Sequence, residues 1–480
     1  MTRYIATALF SAGILGLLFL DRDRKSRPSA AIWIPVIWIF LGGSRQVSQW
    51  LAGGVEFVDS PDQYLEGSPL DRMILAGLMT AGLSVLVTRG RRTALAIASN
   101  TPLVLFFLYC AISIVWADYP FVAFKRWTKA LGNITMVLVV LTDPDPIAAI
   151  RRLFARVSFL LVPLSVLLIK YYPELGRSYD RWVGTAFYNG AAVGKNSLGA
   201  VCLICGLSSL WLVFEALRNP TCRKRQLMAH GSILAMTMWL FLKANSATSL
   251  SCFLVGASLL SFLALFKKHS AIVHFAVAVM VAAGLSAVIM PAASTYILET
   301  LGRDATLTGR TELWAEVLNL QPNPLLGSGF ESFWLGERAE YLWSKYWWHP
   351  NQAHNGYIEM YLNLGWIGIG LLALLLASGY RNAFAAMKRH NETGTIMLAI
   401  MLAAAVYNFT EAAVKVVHPV WVYLLLAVSA VPAVADMTSP VASREKGSVA
   451  PAGDDYAAAM AYRDMHPPGV RGTAWYNRRS

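Results

Sequence analysis

Long apolar runs recur along the chain, and each approaches the length that a helix needs to cross a bilayer. A transmembrane helix needs about 20 largely apolar residues to span about 30 Å of hydrocarbon. Only 14% of the residues are charged and 56% are hydrophobic, whereas a soluble domain carries about a quarter charged residues. Runs such as 272–290 and 371–377 are continuous rather than alternating, which excludes a membrane β-barrel.

The apolar segments predict about 12 to 13 transmembrane helices, and therefore an all-α, polytopic transmembrane helix bundle. They cover residues 4–20, 30–43, 73–88, 94–116, 130–141, 157–169, 197–217, 232–242, 250–266, 271–290, 358–378, 396–409 and 419–435. We expect the bundle to occupy residues 1–436. Residues 437–480 are rich in Ala, Gly, Pro and charge, and they predict a disordered cytoplasmic tail.

Clusters of Lys and Arg lie in alternate loops, which is the pattern of the positive-inside rule. The clusters occupy residues 22–27, 89–92, 151–156, 218–225, 267–268 and 381–389. This alternation places those loops in the cytoplasm, the N-terminus outside and the C-terminus inside. It also accounts for the net charge of +13 without nucleic acid as a partner.

Two loops on the opposite, outer face are longer than a connection requires, and such loops often carry function. They are residues 171–195 and 291–353. In the larger one, Thr308 has the character of a helix N-cap, and apolar residues follow at helical spacing until Pro322. Arg310 is therefore predicted at a helix end, where it either contacts a substrate or caps loop carbonyls and pairs with an acid such as Glu331.

A His-Asn pair, His354 and Asn355, lies just before the next apolar segment. Ionisable residues beside a membrane helix are rare and usually have a function. A histidine can act as a general base at neutral pH, so His354 is the candidate catalytic residue and His349 a weaker one. With His418 these histidines lack the spacing of a zinc site, and we expect no metal. Several aromatic residues precede the pair and fit either an interfacial belt or stacking on sugar faces: Trp334, Trp343, Tyr346, Trp347 and Trp348.

The shorter outer loop adds cations where a helix is predicted to begin. Lys195 and Asn196 head that apolar segment, and Arg181 precedes them. Helix N-termini favour anions and Arg binds phosphate in a bidentate fashion, so these residues predict a phosphate site. A salt bridge from Arg181 to Asp180 or Glu174 is the alternative.

Three stretches of the outer loops resemble the O-antigen ligase and Wzy-type polymerase superfamily. They are GRTELW at 309–314, PLLGSGF at 324–330 and HNGYIEMYLNLGWIG at 354–368. Arg181-x-x-Gly184 and the KNSLG stretch at 195–199 are also similar to elements of the family, and the likeness spans about residues 116–419. Family members often carry a histidine immediately before the Lys-Asn pair, whereas this chain has Gly194 there, so no histidine role is assigned at that position.

The resemblance implies a GT-C-like, metal-independent glycosyltransferase that needs no cofactor. It would lie in the bacterial inner (cytoplasmic) membrane, with its large loop and active face in the periplasm. It would transfer a glycan from an undecaprenyl-diphosphate carrier to a glycan or lipid A core acceptor, with a chain-length regulator as a further candidate partner. We expect Arg181, Lys195 and Arg310 to hold the diphosphate with Asn196 beside them. His354 would activate the acceptor hydroxyl, and Asn355 would orient the histidine or the sugar.

Three functions stay open on the sequence alone. A polymerase of exopolysaccharide or O-antigen repeat units is weakly preferred, because the region around Lys195 is similar to exopolysaccharide polymerisation proteins. An O-antigen ligase would use the same chemistry to transfer glycan to lipid A core. A transporter of polysaccharide or lipid-linked sugar fits the helix count, but its charged groups would concentrate near the bilayer midplane rather than at one face.

Overall fold

The computed structural model describes residues 2–22, 28–53, 68–179, 186–218, 223–266, 269–289, 308–389 and 393–431. The predicted tail at 437–480, Arg181 and residues 291–307 of the large outer loop lie outside these ranges, so the predictions made for them stay predictions.

The described part of the chain is almost entirely α-helical. Its helices are α1 Arg3–Leu20, α2 Trp33–Gly43, α3 Val47–Leu51, α4 Pro69–Thr88, α5 Gly90–Ala98, α6 Thr101–Ile112, α7 Pro120–Leu141, α8 Pro146–Tyr171, α9 Pro173–Gly176, α10 Lys195–Arg218, α11 Arg223–Ala244, α12 Ala247–Phe266, α13 Ser270–Ile289, α14 Thr308–Asn319, α15 Gly336–Lys345, α16 Gly356–Lys388, α17 Thr393–Thr410 and α18 Pro419–Val428. Short 3-10 helices cover Ala30–Ile32 and Ser113–Trp116. In the shorter outer loop, β1 Arg177–Tyr179 pairs antiparallel with β2 Ala186–Tyr188.

The all-α, polytopic fold is confirmed, and every apolar segment predicted from the sequence overlaps a helix. Within the described ranges, 8 helices are long and apolar enough to cross a membrane, or 9 if the bent pair α5 and α6 forms one span. The prediction of about 12 to 13 is larger because it also included shorter apolar helices, at Ala30–Gly43, Ser270–Ala282 and Pro419–Val428. It included α7 as well, whose N-terminal half carries Lys125, Arg126 and Lys129.

Several basic clusters that were predicted as loops are helical. Residues 151–156 lie inside α8 and residues 381–388 inside α16. Long Lys and Arg side chains can extend from a helix towards water while the backbone stays helical, so charge marks the membrane boundary rather than the helix end. The spans α8, α10 and α17 are the most deeply buried, whereas α1 and α4 lie at the periphery.

Helix α16 is broken at Gly365, and the turn at 324–330 fills the break. Gly365 has φ 63° and ψ −163°. Beside it, the N–H of Trp366 donates to the carbonyl of Pro324 at 2.9 Å, and the N–H of Ser328 donates to Leu362 at 3.0 Å. Backbone groups freed by a break in a membrane helix must find other partners, and here the turn supplies them. The large outer loop is thereby attached to a membrane helix.

Candidate functional site

A carboxylate at the end of α17 lies at the centre of the candidate site. One oxygen of Glu411 accepts a hydrogen bond from Asn196 Nδ2 at 2.8 Å. The other oxygen lies 3.3 Å from Nδ1 of His354, and a guanidinium nitrogen of Arg310 lies 3.7 Å from the carboxylate. The Glu411 side chain is only 12% exposed, and a carboxylate withdrawn from water needs such partners. Glu411 thus joins residues from three separate sequence motifs.

Arg310 lies in the first turn of α14. It makes both contacts that were predicted for a structural role, capping of a carbonyl and pairing with an acid. Its Nη1 donates to the carbonyl of Thr410 at 2.8 Å, which caps the end of α17. Its acidic partner is Glu411 rather than Glu331, the example named from the sequence. The Arg310 side chain keeps 26% of its surface exposed, so an anion arriving from solvent can reach it.

The segment before α16 holds His354 in a left-handed conformation, with φ 53°. Such a backbone is uncommon outside glycine and persists where neighbouring contacts enforce it. Ala353 supplies those contacts, because its N–H donates to Glu359 and its carbonyl accepts from Trp314 Nε1 at 2.7 Å. The second oxygen of Glu359 accepts from Trp334 Nε1 at 2.9 Å. His354 is therefore positioned by α14, by the segment that precedes α15 and by α16.

The turn that carries Glu411 is held by Asn408. Asn408 Oδ1 accepts from the backbone N–H groups of Ala413 and Val414, at 3.0 and 3.3 Å. Gly356, at the start of α16, packs directly on this amide: a Cβ added to Gly356 would lie 2.2 Å from Asn408 Oδ1. The family-like sequence His354-Asn-Gly356 therefore requires a glycine because α16 and α17 approach closely beneath the site.

We expect the substitution Gly356→Ala to destabilise the protein. The added methyl group displaces Asn408 and overpacks the contact, which costs about 1–3 kcal/mol. Thermal unfolding in detergent should show a melting temperature several degrees below that of the wild type. Gly370→Ala in the same helix is the matched control, because a Cβ there meets no atom within 4 Å and the change should be neutral or stabilising. Equal melting temperatures for the two variants would contradict the packing argument.

Two further predicted site residues, Asn355 and Lys195, lie at the N-terminal ends of helices. Asn355 is the N-cap of α16, and its Oδ1 accepts from the N–H groups of Tyr357 and Ile358. This cap fixes the residue that follows His354. Lys195 begins α10, and its Nζ lies 4.7 Å from the centre of the Phe187 ring. The structure thus brings His354, Asn196 and Arg310 together, with Lys195 adjacent to Asn196 in sequence.

The remaining histidines and tryptophans of this region have structural contacts. His349 stacks on Trp343 with ring centroids 4.5 Å apart. Loss of hydration, with a smaller contribution from the charge of Lys415, lowers the pKa of His418 to about 3, so His418 is uncharged at neutral pH. Trp347 is 76% exposed, which suits either an interfacial belt or a sugar-stacking surface. Among the residues that the structure describes, no three His, Cys, Asp or Glu side chains converge as a metal site.

Sequence reasoning missed Glu411. The signal was an acid two residues after the end of the apolar segment 396–409, beside a membrane helix, where carboxylates are rare. No motif marked it, because its partners are distant in sequence.

A small cleft of about 40 Å³ lies beside the first turns of α16. Most of its lining side chains are aromatic or aliphatic, and Glu331, Glu359, Asn363 and Lys415 are its polar members. Lys415 Nζ donates to Gln352 Oε1 at 2.9 Å. One wall of the cleft is thereby tied to the segment that carries His354.

Comparison with known proteins supports the family resemblance. Residues 231–373 match the O-antigen ligase family model, so the match contains Arg310, Trp314 and His354. Among curated proteins, the exopolysaccharide production protein ExoQ of Rhizobium meliloti (strain 1021) is 26% identical over 294 residues. The aligned region covers 59% of this chain and 64% of that protein, so the chain spans less than two thirds of the relative's length. The predicted resemblance is confirmed.

Proposed function

We propose that this multi-pass membrane protein, which resembles the O-antigen ligase family, polymerises undecaprenyl-diphosphate-linked repeat units at the periplasmic face of the bacterial inner membrane. The observation that carries the proposal is the Glu411 cluster, in which one buried carboxylate joins the family-like residues Asn196, Arg310 and His354. The name of the relative, an exopolysaccharide production protein, supports a polysaccharide product.

In the proposed reaction, His354 is the general base. When Nδ1 of His354 donates to Glu411, the proton-free nitrogen of the ring is Nε2, which can accept a proton. Nε2 takes the proton of an acceptor hydroxyl, and the oxygen forms a bond to the anomeric carbon of the donor sugar. The bond from that carbon to the diphosphate breaks, and undecaprenyl diphosphate leaves with the electron pair. Glu411 does not take the proton; it stabilises the imidazolium that forms.

The leaving diphosphate needs cations rather than an acid, because it is already a good leaving group. Arg310 supplies one cation, and its 3.7 Å separation from Glu411 is loose enough to be exchanged for a phosphate oxygen. Lys195 supplies a second at the N-terminus of α10, where the helix dipole also favours an anion. We propose Arg181 as the third. Asn196 and Asn355 act by positioning Glu411 and the start of α16.

We expect the substitution Lys195→Ala to weaken donor binding. Loss of one charge-assisted contact to a phosphate should raise the KM for the lipid-linked donor by roughly tenfold to a hundredfold. Initial rates of the purified protein at varied donor concentration would measure the change. Lys345→Ala is the control, since Lys345 pairs with Glu316 on the exposed surface of the outer loop. If both variants keep the wild-type KM, Lys195 does not bind the donor.

The O-antigen ligase alternative uses the same residues, and the description of the matched family favours it. The two functions differ in the product that accumulates when the gene is deleted. Loss of a polymerase leaves single lipid-linked repeat units, whereas loss of a ligase leaves long lipid-linked chains. Chains of normal length in the deletion strain would refute the polymerase proposal.

A further inference from the structure

We propose that a row of cations beside the candidate site binds the carboxylate groups of an acidic glycan. This inference rests on the proposed function, because it names the chemical class of the sugars that the enzyme transfers. The row contains Lys170 in the last turn of α8, Lys243 in the last turn of α11 and Arg177 of β1. The rings of Trp239 and Tyr188 lie between these cations, and we call the five residues the basic row.

Each pair of neighbouring cations in the basic row shares an aromatic ring. Nζ of Lys170 lies 5.2 Å from the centre of the Trp239 ring, and Nζ of Lys243 lies 5.7 Å from it. Lys243 also lies 5.3 Å from the centre of the Tyr188 ring, and the guanidinium carbon of Arg177 lies 5.5 Å from the same ring. Cation–π contacts of this length hold the cations in place. Three positive charges are thus gathered within a small area.

The protein partners of the basic row do not neutralise its charge. An aromatic ring is neutral, and Arg177 donates from Nε and Nη2 to the carbonyl of Ile169, at 3.1 and 2.9 Å. Glu174, the acid that the structure describes between α8 and β1, pairs instead with Arg3 at 3.5 Å. In the described ranges, no carboxylate forms an ion pair with any of the three cations. Like charges held this close repel each other, so the arrangement indicates an anionic ligand.

The basic row is adjacent to the candidate site. Phe187 and Tyr188 follow one another in β2, so their side chains point to opposite faces of the strand. Tyr188 belongs to the basic row, whereas the centre of the Phe187 ring lies 4.7 Å from Nζ of Lys195. Asn196, the next residue, donates to Glu411 at 2.8 Å. A glycan at the candidate site therefore reaches the basic row across a single strand.

Two simpler explanations account for only part of the basic row. The dipole at the C-terminal end of a helix favours a lysine there, which applies to Lys170 and Lys243 but not to Arg177, because β1 is a strand. Anionic phospholipids attract basic residues chiefly at the cytoplasmic leaflet, whereas the basic row shares the end of the bundle that we propose to be periplasmic. A lipid headgroup also presents its phosphate at one point. A glycan chain with carboxylates at intervals matches three cations in succession, and a guanidinium binds a carboxylate through two parallel hydrogen bonds.

The composition of the repeat unit tests the proposal without any variant. The lipid-linked repeat unit that accumulates in a strain lacking the gene is extracted, and its glycan is analysed by mass spectrometry and by anion exchange. We expect at least one carboxylate in every repeat unit. A repeat unit without carboxylates overturns the inference, while its accumulation still supports the proposed function.

Kinetic measurements on variants test whether the basic row makes the carboxylate contacts. Purified wild type and the double variant Lys170→Gln, Lys243→Gln are assayed with the extracted donor, and with the same donor after its carboxyl groups have been reduced to alcohols. We expect the double variant to raise the KM for the acidic donor by about tenfold, because two charge-assisted contacts are lost, and to leave the KM for the reduced donor unchanged. Lys345→Gln is the control, since Lys345 pairs with Glu316 on the exposed surface of the outer loop, and it should keep both wild-type KM values.

The contrary outcomes are distinct from one another. An unchanged KM for the acidic donor, in a double variant with the melting temperature of the wild type, overturns the assignment to the basic row. Native mass spectrometry of the same proteins tests the lipid alternative. If the wild type retains phosphatidylglycerol, the double variant loses it and both KM values are unchanged, the row binds lipid headgroups and the inference is wrong. No transfer by the wild type from either donor overturns the proposed function itself.

Discussion

Replacing His354 with asparagine is expected to abolish polymer formation while the protein remains in the membrane. Asparagine tolerates the left-handed conformation that His354 adopts, so the backbone before α16 should stay in place. The amide cannot accept a proton at neutral pH, and loss of a general base lowers the rate by about 100-fold to 10,000-fold. Polysaccharide from a deletion strain complemented with the variant, and initial rates of the purified protein, would measure the loss.

His349→Asn is the matched control for this experiment. His349 also has a positive φ, at 48°, and lies in the same loop, but it stacks on Trp343 instead of contacting Glu411. Membrane levels of both variants are compared by immunoblot. Polymer at the wild-type level from His354→Asn would show that His354 belongs to the scaffold. Equal loss in both variants would point to the loop conformation rather than to the base.

The fold was predictable because the length of each apolar run can be read directly from consecutive residues of the sequence. Each predicted segment overlaps a helix, as the continuous run at 197–217 does with α10. The break at Gly365 was not predicted, since it depends on the distant turn at 324–330 occupying freed backbone groups. The predicted helix ends were also inaccurate. The basic residues 151–156 were interpreted as a loop, but they lie inside α8, because a helix can continue past the membrane boundary.

The candidate site was predictable only in part, and for a physical reason. Arg310 and His354 stood out because charged and polar groups near a membrane helix are rare, and the structure places both against one carboxylate. Glu411 was missed because its role depends on residues 57 to 215 positions away in sequence. Glu359 was missed although its partners are only 6 and 25 positions away, because the turn that brings Ala353 and Trp334 to it forms only in the folded loop. Motif reading finds the groups that can react but not those that position them.

The cluster also accounts for the two helices, α14 and α15, in the described part of the large outer loop, residues 308–353. Leu313 and Val317 of α14 pack with Phe333 and Leu342 in a small core of their own. That core fixes the direction of Trp314, which in turn holds Ala353. A general base has to be held within a fraction of an ångström of its working position, and a packed scaffold provides this better than a loop.

Glu411→Gln is expected to lower the turnover rate by about 100-fold or more while changing the donor KM less. The amide oxygen can still accept from Asn196, so the packing around the side chain is retained. Its NH₂ group then faces Nδ1 of His354 and donates to it, which places the ring proton on Nε2 and removes the free base. A neutral amide also cannot stabilise the imidazolium that forms during proton transfer.

The turnover rate and the melting temperature together separate this positioning role from a purely structural one. A positioning role predicts that Glu411→Gln loses turnover while its melting temperature stays close to that of the wild type, because Asn196 keeps its acceptor. Glu340→Gln, a change of an exposed acid on α15, should leave both quantities as in the wild type. A Glu411→Gln enzyme whose turnover falls together with its melting temperature would mean that Glu411 only supports packing. A rate above half of the wild type would mean that the carboxylate is dispensable, and the proposed pairing of Glu411 with the base would then be wrong.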